Sequence, residues 1–241
     1  MVNTKSINFG TASRAGGIEL YLKRIFALMF GAVALTAVAS YMSIWGGLLP
    51  YLLNFYTGGF TILYYVILFG ALGVSLWAQF RAFRMSPAQG ALVLALYSVL
   101  MGIGLTPLIT FALAVHPASI IYAFGISSVM FGCMALFGYK TVKNLSFLGT
   151  FLMMGMIGLV LVGLVSMIWP LGNAFSTIVC FLGILVFALF TAYDMQNLKN
   201  TYALVNDERQ RNQLAVLGAL HLYISFVAMF QYVLSLLNRN S

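Results

Sequence analysis

Charged residues are scarce in this sequence, at 7% of the chain, whereas hydrophobic residues make up 62% and the mean hydropathy is +1.00. Soluble domains carry roughly 25% charged residues, so this composition excludes an ordinary soluble core and indicates a membrane protein that spans the bilayer several times. The net charge of +8 would suggest a nucleic-acid partner in a soluble protein. Here the basic residues lie in short clusters between apolar runs, so we expect the lipid bilayer and no nucleic acid as the partner.

Cysteine and histidine are also rare, with two of each. Cys133 and Cys180 lie in separate apolar segments without CxxC spacing, which excludes a disulfide framework and a zinc motif and is typical of small packing residues. A metal-dependent hydrolase would need several His or acidic ligands around one ion. We therefore expect no metal site and no cofactor.

The sequence is rich in long uncharged runs, and seven of them approach the ~20 residues that a bilayer requires. These runs cover residues 25–44, 60–80, 88–115, 118–139, 145–169, 174–193 and 213–238. The predicted fold is an all-α bundle of seven transmembrane helices. Pro107 lies inside the third run, and because it lacks a backbone donor we expect it to kink that helix or end it early.

The basic residues predict the orientation of the bundle. Eleven of the twelve precede the first span or follow the second, fourth and sixth, and only Arg239 lies opposite. By the positive-inside rule the N-terminus is cytoplasmic and the C-terminus external. The predicted domains are a cytoplasmic N-terminal segment (1–24) and a seven-helix transmembrane domain (25–241). Lys23 and Arg24 before an apolar run imitate a signal peptide, but the run continues too far and favours an uncleaved first span.

Asp194 is the acid that directly continues a long apolar run; the other three acids lie among polar or basic neighbours. A carboxylate at the centre of a bilayer costs about 2.5–3.5 kcal/mol, so an acid near that position is a functional hypothesis by default. The alternative is a residue at a helix end, near the membrane surface.

The seventh span has a polar stripe, because His221 and Ser225 are four residues apart and share one helical face. Such a helix suits the middle of a bundle, where its polar atoms find partners or water. Enzymatic interpretations are weak. No lysine lies deep in a span to form a retinal Schiff base, and a serine protease using Ser127 or Ser128 with His221 has no supporting neighbour in sequence. We expect no enzymatic activity.

Four stretches together resemble the transmembrane Bax inhibitor motif family (Bax inhibitor-1/YccA-like), in particular its bacterial branch. They are RAFRMSP at 81–87, GIGLTP at 102–107, FALFTAYDMQ at 187–196 and GALHLYISF at 218–226. The resemblance covers nearly the whole chain. It implies a seven-helix bundle with the seventh helix central, location in the bacterial inner membrane, and membership in a group linked to pH-sensitive calcium leak.

The resemblance also implies site residues. In the leak model of the family, one aspartate on the sixth helix and one on the seventh share a proton and gate the pore, and an arginine on the second helix acts as a latch. Asp194 matches the first acid, and Arg81 and Arg84 are the latch candidates. The second acid is absent, because Ser225 stands in its place. A shared-proton pair needs two carboxyls, so that mechanism cannot operate here as described.

Two functions follow from these expectations. The leading one is a weak Ca²⁺, H⁺ or other cation leak in which Asp194, with Ser225 and His221, is the proton-sensitive gate and Arg81 or Arg84 its partner. The alternative is a non-conducting regulatory protein that binds other membrane proteins, such as a membrane-anchored protease. It is motivated by the missing second acid.

Overall fold

A computed structural model describes residues 4–54, 59–81, 85–169, 172–205 and 207–239, and within them the side chains of 4–16, 167, 168 and 209 stay undescribed. The described elements are helices α1 Thr4–Trp45 and α2 Leu49–Leu52, strands β1 Leu53–Asn54 and β2 Gly59–Phe60, and helices α3 Ile62–Arg81, α4 Pro87–Val115, α5 Ala118–Lys140, α6 Ser146–Ile168, α7 Asn173–Leu204 and α8 Glu208–Leu237. Seven of the helices (α1 and α3–α8) are long and apolar enough to cross a membrane. The predicted all-α polytopic fold is confirmed.

Two helices extend beyond their apolar runs. Helix α1 is continuous across residue 24, where the predicted N-terminal segment was to end, and Gly17–Trp45 is its candidate membrane span among the residues with described side chains. Helix α7 continues past Tyr193 to Leu204. Asp194 therefore lies ten residues before the end of its helix, about 15 Å along the axis, and is not a helix-end residue.

Helix α4 does not end at Pro107, so the expected early end is wrong. The helix begins with a capping box, in which Ser86 and Gln89 each bond the other's backbone N–H, and it runs to Val115. The hydroxyls of Thr106 and Thr110 donate to the carbonyls of Gly102 and Thr106. Hydroxyl groups and neighbouring helices are what allow a transmembrane helix to pass through a proline.

Helix α8 is the centre of the bundle, as predicted. It packs against α1, α4, α5 and α7, and 61% of its most apolar stretch is buried, the largest share of any span. Ala215 and Ala219 are fully buried, four residues apart on one face. Small residues at this spacing let neighbouring backbones approach closely in lipid, where apolar surface alone does not drive helices together.

Helix α6 is the most peripheral span, with 11% of its stretch buried, and it packs mainly against α7. Gly149 and Gly155 allow this approach, because a Cβ at either position would press on Tyr193 or Val186 of α7. Helix α3 in turn packs mainly against α4. The bundle is therefore dense around α1, α4, α5, α7 and α8, and looser toward α3 and α6.

Candidate functional site

Asp194 lies on a stretch of α7 that is fixed on its other faces. Thr191 and Met195 are buried in the core, and the Thr191 hydroxyl donates to the carbonyl of Phe187. The amide of Gln196 holds the α5–α6 connection: Nε2 donates to the carbonyl of Lys143 at 2.7 Å, and Oε1 accepts from the N–H of Leu145 at 2.8 Å. Because these neighbouring side chains are held in place, the rotation of α7 about its axis is fixed, and so is the direction in which Asp194 points.

Asp194 borders a half-open cleft of about 510 Å³ between α3, α6, α7 and α8, which we call the Asp194 cleft. Helix α7 contributes Phe187, Phe190, Asp194 and Asn197, whose spacing of three and four residues places them on one face. The remaining lining residues are Gln79, Ser146, Gly149, Thr150, Met153, Met156, Tyr193, His221, Ile224 and Ser225. The cleft is apolar at its Phe187 end and polar around Asp194.

Helix α8 supplies His221 and Ser225 to the same cleft. Both residues lie on the face predicted from their spacing, with Ile224 between them, whereas Leu222 and Tyr223 point away and are fully buried. The structure therefore brings together the three residues predicted as the proton-sensitive site: Asp194, His221 and Ser225.

No Lys or Arg among the described residues lines the cleft around Asp194. The other titratable side chains that line the cleft are His221 and Tyr193, while α3 contributes Gln79 and α6 contributes Ser146 and Thr150. Arg81 is exposed, with its guanidinium 5.6 Å from the centre of the Trp77 ring, and it does not line the cleft. Arg84 falls outside the described residues. Within the described part of the chain, Asp194 has neither of the basic partners that the latch interpretation requires.

No group of three or more His, Cys, Asp or Glu side chains that could hold a metal ion occurs among the described residues. The Asp194 cleft instead offers one carboxylate with hydroxyl and amide groups. Calcium binds six to eight oxygens and usually takes more than one carboxylate. The described lining of the cleft therefore supplies fewer carboxylates than a calcium site usually has.

Several polar residues of the site were missed by sequence reasoning. Gln79 and Asn197 line the cleft, and Gln196 sets the α5–α6 connection. Asn197 could have been found from its three-residue spacing to Asp194, had the sixth span been extended past Tyr193. The contribution of Gln79 depends on how α3 leans over the bundle, which no local pattern in the sequence specifies.

The far side of α8 is held by a buried polar contact behind the cleft. The Tyr223 hydroxyl lies 2.6 Å from the Thr36 hydroxyl of α1, and Thr36 Oγ1 lies 2.9 Å from the carbonyl oxygen of Ala32 and 3.1 Å from that of Ser98 in α4. The Tyr223 hydroxyl can donate to Thr36 Oγ1, and the Thr36 hydroxyl can then donate its own proton to the carbonyl of Ala32 or Ser98. This contact ties α8 to α1 and α4 and fixes the rotation that turns Ser225 toward the cleft.

Comparison with known proteins adds independent information. The family model described as "Inhibitor of apoptosis-promoting Bax1" matches residues 18–241. A protein of Rickettsia prowazekii (strain Madrid E) is 32% identical over 222 residues, which is 92% of this chain and 90% of the relative. The inner membrane protein YbhL of Escherichia coli (strain K12) is 31% identical over 220 residues, covering 90% of this chain and 91% of its own.

Proposed function

Because the chain belongs to the family of inhibitors of apoptosis-promoting Bax1, we propose that it is a weak cation leak whose flux depends on the ionisation of Asp194. It is a multi-pass membrane protein, and the name of the Escherichia coli relative supports location in the bacterial inner membrane. The basic clusters at one end of the bundle support a cytoplasmic N-terminus and an external C-terminus.

The observation that carries this proposal is the meeting of Asp194, His221 and Ser225 at one half-open cleft between α3, α6, α7 and α8. Acidic residues are costly to bury inside membrane spans and are therefore rare there. Those that do occur usually mark ion or proton pathways. Here the acid borders open volume, and no Lys or Arg among the described residues lines the cleft, so its charge is available to a mobile cation.

Ser225 determines how tightly the Asp194 cleft would bind a cation. With a second carboxylate at that position, two acids could share a proton or chelate a divalent ion. With a hydroxyl, the cation keeps much of its water and meets one full negative charge. Such a site favours a low-affinity leak over a tight, selective binding site, since conduction requires that an ion can leave as easily as it enters.

The direction of the pH response follows from the partners of Asp194. An ionised Asp194 that paired with Arg81 would close the path, and acidification would then open it. An ionised Asp194 without a basic partner attracts the cation, and acidification would then reduce the flux. Arg84, the other latch candidate, lies outside the described residues, which include no such ion pair; the open volume beside Asp194 supports the second mechanism. We therefore expect flux to fall as Asp194 becomes protonated.

The test is reconstitution of the purified protein in liposomes, with calcium and proton flux measured at several pH values. Asp194→Asn should reduce the flux and remove its pH dependence, whereas Ser225→Asp should raise the flux by supplying a second carboxylate. Glu19→Gln is the matched control, because Glu19 is an exposed acid of α1 outside the cleft. An unchanged pH profile in Asp194→Asn would contradict the proposal. Absence of flux in every variant would favour the non-conducting regulatory alternative.

A further inference from the structure

A second cleft, of about 550 Å³, lies against the other half of α8, and we call it the Gln231 cleft. Gln231, Tyr232 and Ser235 of α8 line it, together with Tyr64 and Leu68 of α3. Helix α3 thus borders both clefts, with Gln79 at the Asp194 cleft and Tyr64 at the Gln231 cleft. The loose packing of α3 on the bundle leaves open volume in both halves.

One face of α8 runs from the first cleft to the second. His221, Ser225, Ala228, Tyr232 and Ser235 follow each other at spacings of four, three, four and three residues, which places them on one side of the helix. The small Ala228 stands midway and is only partly buried. Apart from Tyr232, this face of α8 therefore carries polar or small side chains.

An aromatic pair bridges the linings of the two clefts. Phe187 lines the Asp194 cleft and Tyr232 lines the Gln231 cleft. Their rings are stacked, with centroids 6.1 Å apart and an interplanar angle of 28°. Gly183 brings the α7 backbone directly behind the Tyr232 ring, because a Cβ at that position would meet the ring at 2.5 Å. The pair therefore connects the lining of one cleft to the lining of the other.

We infer that the two clefts are the ends of a single cation pathway along α8 and that the Phe187–Tyr232 pair is its closed constriction. This inference rests on the proposed cation leak and adds the residues that limit it. Hydrophobic constrictions stop ions by excluding water, and a modest movement of the rings suffices to admit it. The electron-rich ring faces would tolerate a passing cation better than an anion, which gives the constriction the same charge preference as Asp194.

Truncation of Phe187 tests the constriction through flux. In liposomes, Phe187→Ala should raise cation flux severalfold at every pH, because removing the ring leaves a wetted gap. Phe181→Ala is the matched control: Phe181 lies on the same helix, but 59% of it is exposed on the outer surface, so its truncation should leave the flux unchanged. Flux that is equal in the native protein and Phe187→Ala would overturn the inference.

Thiol accessibility tests the constriction without relying on flux. In a background of Cys133→Ala and Cys180→Ala, Ile224→Cys reports on the Asp194 cleft and Ser235→Cys on the Gln231 cleft. A charged, membrane-impermeant thiosulfonate reacts with thiolates in water, so it labels wetted positions. We expect the two cysteines to react from opposite sides of a sealed membrane, and Ile224→Cys to react from both sides once Phe187→Ala is added.

The two measurements separate the possible failures. If the native protein does not conduct, but Phe187→Ala conducts and opens Ile224→Cys to both sides, the constriction is correct and the proposed leak of the native protein is wrong. If the native protein conducts but Phe187→Ala changes neither flux nor labelling, the leak is correct and the constriction lies elsewhere. Labelling of both cysteines from one side only would also overturn the single pathway.

Discussion

Around Tyr223, the side of α8 that faces α1 and α4 is filled and hydrogen-bonded, whereas the side with His221 and Ser225, toward α3 and α6, borders open volume. On the first side Tyr223 is fully buried and bonded to Thr36, and Gly102 lets α4 touch the backbone of α1. On the second side His221 and Ser225 meet the Asp194 cleft. The comparison indicates that the filled side fixes the position of α8. The open side is the one that the proposed cation leak would use.

Tyr223→Ala should cause the largest effect, because it empties the filled side. Removing roughly 100 Å³ of side chain at about 24 cal/mol per Å³ of cavity destabilises the fold by about 2.4 kcal/mol, before the hydrogen bond is counted. Thermal unfolding in detergent micelles would measure the loss.

Tyr223→Phe is the matched control for that substitution, since it keeps the ring and removes only the hydroxyl. Interhelical hydrogen bonds in membranes average about 0.6 kcal/mol, so the expected loss is several times smaller than for Tyr223→Ala. Equal losses in the two variants would show that the hydrogen bond, and not the filling of space, secures this side.

Gly102→Ala should give an intermediate effect on the same side. A Cβ at position 102 would lie 2.6 Å from the carbonyl oxygen of Thr36 and 2.7 Å from Cβ of Ala39, so α1 and α4 must separate. Overpacking of this kind costs about 1–3 kcal/mol. Gly70→Ala in α3 is the control, because nothing lies within 4 Å of the added Cβ and the higher helix propensity of alanine should leave stability equal or greater. The same unfolding measurement would contradict the comparison if both substitutions were equally harmful.

The helices were more accessible to sequence reasoning than the full lining of the Asp194 cleft. The seven spans and the central α8 follow from run lengths, basic clusters and the His221–Ser225 spacing, all of which are local patterns. The cleft depends on helix rotation and tilt, which local patterns do not encode. For this reason Gln79 was missed and Arg81 was expected near Asp194, although its side chain lies over Trp77.

Two errors at the helix ends have a common cause. The sixth span was ended at Tyr193 because Asp194 and Lys199 interrupt the apolar run, yet α7 continues through them since its last turns pack on other parts of the chain. Lys199, for example, donates to the carbonyl of Tyr139 at 2.9 Å. Likewise Pro107 does not end α4. In both cases hydrogen bonds satisfy polar groups near the interruption: Lys199 bonds another part of the chain, and Thr106 and Thr110 bond carbonyls within α4.

The smallest effect on stability is expected from Asp194→Asn, on the open side. The carboxylate has no ion pair among the described residues, so its neutralisation should leave the unfolding free energy within about 0.5 kcal/mol, the usual range for a substitution that breaks no structural contact. The neighbouring Gln196→Leu is the comparison, because it removes both bonds to the α5–α6 connection and leaves two backbone groups without partners. That change should cost about 1–3 kcal/mol.

Thermal unfolding of the two variants, beside flux in liposomes, would separate their roles. Asp194→Asn should lose the pH dependence of flux at nearly native stability, and Gln196→Leu should lose stability while whatever flux remains still responds to pH. If Asp194→Asn instead lost stability and kept its pH-dependent flux, Asp194 would stabilise the fold and would not be the proton-sensitive residue. In the expected pattern, two residues of one motif, two positions apart, have different roles: the Gln196 amide holds the α5–α6 connection, and the Asp194 carboxylate makes the flux depend on pH.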